Sequence, residues 1–128
     1  MSSPSDAYLS ICERFGRWLA TSRVAEPGDW LLPRESGARS PRLATERQPV
    51  PDDEILVPRL ERLLAELRAE TAAFVLDFSN SEFACVAFDE QGRTLANVVA
   101  GDPAAAVAQA LVFIRAERAA NERASERR

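Results

Sequence analysis

Apolar residues repeat along this chain with two different periods, and the switch between them marks out the fold. Tyr8, Cys12, Phe15 and Leu19 recur at spacings of four, three and four, with Ile11 and Trp18 widening the stripe and Glu13, Arg14 and Arg17 falling elsewhere. That pattern predicts an amphipathic helix over residues 4–22. Ser3 is its expected N-cap, Pro4 suits the first helical position, and Asp6 stands three residues after the cap. A second helix is expected from near Pro58, where Leu60, Leu63, Leu64 and Leu67 line one side and Arg59, Glu61, Arg62, Glu66 and Arg68 the other. The Ile55-Leu56-Val57 run before it reads as extended.

The period then falls to two. Phe74, Leu76 and Phe78 alternate with Val75, Asp77 and Ser79, as in a half-buried strand. Asn80-Ser81 forms a turn, Phe83 to Phe88 a second strand, Asp89-Glu90-Gln91-Gly92 another turn, and Thr94 to Ala100 a third strand. Two successive hairpins imply an antiparallel meander. Gly101, Asp102 and Pro103 supply a breaker, an N-cap and a first-turn proline for a last helix with Val107, Ala110, Leu111 and Ile114 on its apolar stripe. Beyond Glu117 the Glu/Arg-rich tail should continue as a solvated helix or fray. The fold class expected is α+β: an N-terminal amphipathic helix and turn (residues 1–32), a flexible Pro/Arg-rich linker (33–54), an α-β-β-β-α core (55–120) and a charged tail (121–128).

The linker expectation rests on Pro33, Pro41, Pro49 and Pro51, and on Leu43 being the single large aliphatic residue from Arg34 to Gln48. Arg34, Arg39, Arg42 and Arg47 make it locally basic, which admits either a solvated linker or a nucleic-acid arm. Trp30, just before it, either covers a core or anchors a partner. The first helix, with Trp18, either packs on its own domain or serves docking or dimerisation.

Composition removes chemistry more than it adds any. The 128 residues suit one domain, and 46% apolar with 28% charged residues suits a globular chain. The net charge is −4, all sixteen basic residues are Arg, and there is no His. An imidazole base, a Schiff-base lysine and a P-loop lysine are therefore excluded. The absence of Lys beside abundant Ala is the signature of a GC-rich coding genome. Cys12 and Cys85 are the only cysteines, each on an apolar face, where they read as small core residues in a reducing compartment. The start Met-Ser-Ser-Pro-Ser-Asp carries no basic n-region, and no apolar run approaches the roughly 20 residues of a spanning helix. A cytoplasmic location with no membrane association is expected.

From Leu60 to Ala116, the order helix, hairpin, hairpin, helix, with Phe-Ala-Cys-Val-Ala-Phe-Asp-Glu-Gln-Gly-Arg and Gly-Asp-Pro-Ala-Ala-Ala-Val-Ala-Gln-Ala-Leu, resembles small phage and prophage domains described as ABA sandwiches. Over Phe74 to Ile114 it also resembles HicB-type antitoxins, whose helix entry reads G-D-T-x-x-E-A; Pro103 and Ala106 replace the threonine and glutamate here. Double-stranded-RNA-binding domains share the order, but the lysine cluster that opens their last helix is replaced by Asp102-Pro103-Ala104-Ala105-Ala106. Asp77 on the first strand is similar to the opening of ribonuclease H-like folds, whose two-metal chemistry needs further carboxylates. The resemblance to phage domains implies an origin in a phage or mobile element.

The functional expectation is a non-catalytic protein-interaction or regulatory module without cofactor or metal. It binds a protein partner or itself as a homo-oligomer, with Trp18, Trp30, Arg34, Arg39, Arg42 and Arg47 as partner-binding residues. The alternative is a nucleic-acid-binding or antitoxin-like protein using the arginines of the linker.

Overall fold

The two sequence periods become two kinds of layer in the computed structural model, which describes residues 3–19, 22–35 and 40–126. In chain order the elements are α1 (Asp6–Leu19), β1 (Val24–Ala25), β2 (Trp30–Pro33), β3 (Arg42–Leu43), β4 (Gln48–Pro49), β5 (Glu54–Val57), α2 (Leu60–Glu70), β6 (Ala73–Ser79), β7 (Glu82–Phe88), β8 (Thr94–Ala100) and α3 (Pro103–Glu126). The fold is α+β, with strands paired antiparallel in three sheets, β1-β4, β3-β2-β5 and β6-β7-β8. No helix among the described residues is long and apolar enough to cross a membrane.

The C-terminal meander follows its alternation. Leu76, Cys85 and Val98 lie in one row and Phe74, Ala87 and Ala96 in the next, on the face that α2 and α3 cover. A register shift between Ala87 and Phe88 lets adjacent Leu95 and Ala96 both contribute to that core. The first hairpin turns on Asn80 and Ser81, both at positive φ, as a two-residue turn with the right twist requires. In the second, Asp89 accepts the N–H groups of Gln91 and Arg93, and these bonds hold its carboxyl below the usual carboxylate range. Leu63, Leu67, Leu111 and Ile114 form the buried interior, and α3 continues solvated to Glu126.

α1 is set by a cap two residues later than the sequence suggests. Ser5 rather than Ser3 accepts the Tyr8 N–H, at 3.1 Å, and Pro4 stays outside the helix. The same hydroxyl donates to Asp102 at 2.5 Å, and Asp102 in turn caps α3 by accepting the Ala105 N–H at 3.0 Å. This link between two caps favours Ser5, because it fixes the starts of α1 and α3 side by side. α1 then packs on α3 and β5, burying Tyr8, Ile11, Cys12 and Leu19. A kink at Phe15 turns that ring out of the predicted stripe to the surface. Ala20 and Thr21, inside the expected helix, lie outside the described residues.

The expected linker is a correction. Residues 40–54 carry β3, β4 and the start of β5, and they bury Ala44 and Val50. The reason is a sheet that is apolar on both sides. In β3-β2-β5, Trp30, Leu32, Ile55 and Val57 face the main core, while Leu31 and Leu56 join Ala25, Ala44 and Val50 in a second small core. A strand buried on both faces loses its alternation and reads as a plain apolar run. The first helix, β2 and the α-β-β-β-α unit thus share one main core, and residues 40–54 help close the second.

Asp29 fastens this middle unit. Its side chain is 0% exposed and accepts the N–H groups of Glu26 (2.8 Å) and Arg59 (2.9 Å) and the guanidinium of Arg62 (2.5 Å), with Arg59 Nη1 at 3.4 Å. Its backbone carbonyl takes the Ala44 N–H at 2.8 Å. Gly28 precedes it at φ +95, where a Cβ would sit 2.9 Å from the Arg59 side chain. Arg59, the N-cap of α2, makes no side-chain cap of its own, so a carboxylate from another segment does that work.

Removing Asp29 leaves two guanidinium groups and two N–H donors without their acceptor. Asp29→Ala is expected to lower unfolding free energy by about 3–5 kcal/mol in a denaturant titration; a loss below about 1 kcal/mol would contradict the assignment. A second expectation concerns Tyr8, the only tyrosine. Burial, then the neighbouring Cys12, raises its phenol well above the ordinary value, and burial pushes the Cys12 thiol up to about 12 and Cys85 to about 11. The folded state disfavours these anions, so the stability tied to the buried neutral groups is full below the unfolded pKa values of roughly 8.5–10 and declines as pH rises above them. In an alkaline titration, phenolate absorbance should therefore emerge only together with loss of helical circular dichroism. Phenolate forming in a still-helical protein would overturn this.

Candidate functional site

Two surfaces remain after the core is assembled, and each follows from where α1 goes. Because α1 lies against α3 and β5, nothing among the described residues packs on the second face of β6-β7-β8. Val75, Val86 and Asn97 form one row there, and Asp77, Ala84 and Val99 the next. Val75 and Val99 are each 53% exposed. Ala84 and Val86 between them are half-buried by their neighbours on the strands. Asp77 and Glu82 give the strip an acidic border. At the end of the covered face Phe78 is 59% exposed and stacks on Phe83 with ring centroids 4.7 Å apart.

The second surface is an open cleft of about 400 Å³ between α1 and the middle strands. Arg14, Arg17, Arg23 and Arg34 line it, with Glu13 and Glu54, over a base that includes the buried Cys12, Val50 and Leu56. Arg23 donates to the Asp52 carboxylate at 2.8 Å, and Arg34 Nε to the Asp52 carbonyl at 3.0 Å, so a single residue gathers these two guanidinium groups. Arg14 lies over the Phe15 ring at 5.5 Å, and Arg17 over Trp18 at 4.9 Å. Glu54 is already held by both prongs of Arg42, at 3.0 and 2.6 Å. That bond, ahead of the other influences, raises the pKa of Arg42. With its thiol at about 12, Cys12 offers essentially no thiolate to the cleft near neutral pH.

The residues expected to bind a partner do not gather in one place. Trp30 sits half-buried in β2 against the main core, opposite Val57 and Leu43. Trp18 is half-buried under Arg17, and its carbonyl accepts a bond from Arg115. Arg34 lines the cleft, Arg42 is tied to Glu54 and Gln48, and Arg47 lies 3.7 Å from Glu26. Arg39 lies outside the described residues. Arg14 and Arg17 fall on the side of the first helix away from its apolar stripe, and Arg23 follows the helix. The available signal was the i, i+3 spacing of Arg14 and Arg17, which places both on one helical face.

Against this geometry, no protein family, no curated protein and no solved structure matches the chain, so the functional reading rests on its own surfaces.

Proposed function

We propose that this chain is a non-catalytic interaction module that docks a segment of a partner protein on the uncovered face of β6-β7-β8. The observation that carries the reading is the apolar strip Val75, Val86, Ala84 and Val99, in register across three strands, with Val75 and Val99 exposed and Ala84 and Val86 half-buried between them. Contiguous apolar surface of this kind is unfavourable in water and marks interaction sites. Three seven-residue strands give a face of roughly 330 Å². A stable dimer needs about 800 Å² from each subunit, so the face suits a short segment in a transient complex better than a permanent copy-to-copy interface. Charge points the same way. Asp77 and Glu82 on the border would meet carboxylates on a second copy stacked face to face, whereas a partner segment with apolar residues between Lys or Arg is complementary.

Two sequence-based motives lose support. The homo-oligomer expectation drew on a spare apolar face of α1, and that face is taken by α3 and β5. The nucleic-acid reading drew on the middle arginines, of which Arg42 and Arg47 are paired with Glu54 and Glu26.

A photoreactive residue in place of Val75, in the full chain exposed to host extract, tests the docking site. The expected result is one discrete adduct, mapped by mass spectrometry to an apolar segment flanked by basic residues and lost in Val99→Asp. That substitution should cost stability no more than about 1 kcal/mol. A diffuse smear, no adduct, or an adduct that survives Val99→Asp would sink the proposal. Adducts only between copies, with light scattering at twice the chain mass, would replace it with self-association.

A further inference from the structure

The cleft between α1 and the middle strands is independent of the sheet face, and we infer that it binds a small phosphate-bearing ligand. Arg14, Arg17, Arg23 and Arg34 bring four positive charges to a cleft lined by two carboxylates, Glu13 and Glu54, with a third, Asp52, beside it on Arg23, in a chain of net charge −4. Glu54 is further neutralised by Arg42. A local excess of positive charge in an acidic protein is electrostatically unfavourable unless an anion offsets it, and a concave wall focuses its field.

The donors choose the class of anion. Arg14 and Arg17 contribute guanidinium groups whose interactions are with aromatic rings, which leaves their N–H groups without a protein acceptor among the described residues. Arg23 uses Nη2 on Asp52 and, more weakly, on the Val50 carbonyl, and its pair with Asp52 is fully open to water, at 62% and 103% side-chain exposure. Such a surface pair contributes little and yields readily to a better acceptor. The arginines that line the cleft arrive from three segments, α1, the stretch after it and the end of β2. A carboxylate has two oxygens and matches one fork. A terminal phosphate carries nearly two charges on three oxygens and can be shared among several.

Size and the base of the cleft set the rest of the ligand. About 400 Å³ lies within the usual range for small-molecule sites, and the apolar base, with Ile55 and Leu56, would take a carbon body next to the phosphate. An extended nucleic acid is disfavoured, because the chain as a whole carries a net charge of −4.

The test uses the full chain labelled with ¹⁵N-arginine and titrated with inorganic pyrophosphate, with a sugar phosphate in parallel, at about 50 mM salt to limit screening. Saturable shifts are expected in the side-chain N–H resonances of Arg14, Arg17 and Arg23. Arg17→Gln and Arg23→Gln should each weaken binding about tenfold with an unchanged thermal midpoint. Arg93→Gln, in the exposed second hairpin turn, should leave binding as it is. Shifts that do not saturate, or equal weakening by Arg93→Gln, would overturn the proposal. So would a single-stranded oligonucleotide that displaces pyrophosphate at lower phosphate concentration, which would reassign the cleft to nucleic acid.

Discussion

The buried carboxylate of Asp29 is the constraint on which the middle of this structure depends. Burying a charge costs several kcal/mol, and the cost is offset only when every lone pair finds a well-placed donor. Here the donors come from a turn, from the start of α2 and from the guanidinium group of Arg62. Those partners are far apart in sequence, so the carboxylate can be satisfied only when β2 lies beside β5 and α2 begins where it does. A hydrophobic residue at this point could contribute as much stability, but it would specify none of these directions.

Once Asp29 holds β2 and β5 together, their sheet separates two cores and dictates where α1 can go. Ile55 and Val57 present an apolar surface beside α3, and α1 covers that surface. The Ser5–Asp102 hydrogen bond sets the start of α1, and Arg115 sets its end by bridging Glu66 and Glu70 of α2 to the carbonyl of Trp18. Both open surfaces are consequences. The outer face of β6-β7-β8 stays uncovered because the one helix free to cover it is held elsewhere, and the cleft forms where the polar side of that helix faces the middle strands.

What was legible in the sequence was local. The α2 leucines, the alternation of β6 to β8 and the Asp102 cap each announce themselves within a dozen residues, and the structure places them as read. The strands between Val24 and Val57 were not legible, because two-residue strands have no period and prolines at 33, 41, 49 and 51 imitate a linker. Trp30-Leu31-Leu32 and Ile55-Leu56-Val57 were the only hints, since unbroken apolar runs imply burial on both faces. Asp29 was hidden for another reason. An aspartate in a Glu-Pro-Gly-Asp turn is ordinary, and only its partners 30 and 33 residues away make it otherwise. The cleft was nearly as hard to see, because only Arg14 and Arg17 share a segment and Arg23 and Arg34 join them through tertiary packing.

The lysine-free composition reads differently once these contacts are known. Whatever the origin of that composition, the fold uses the shape of the guanidinium group. Arg42 grips both oxygens of Glu54, and Arg115 reaches two carboxylates and a carbonyl at once. Arg118 takes both the side chain and the backbone of Glu70. A lysine has one nitrogen and could not span these acceptors in fixed directions. Burial separates these arginines from those of the cleft. Arg62 and Arg115 are largely enclosed, and their bonds hold elements together. Arg23 is open to water on a weak pair, and Arg14 and Arg17 rest on aromatic rings. The same residue type therefore serves two purposes, and a guanidinium group not required by the fold is the one available to a ligand.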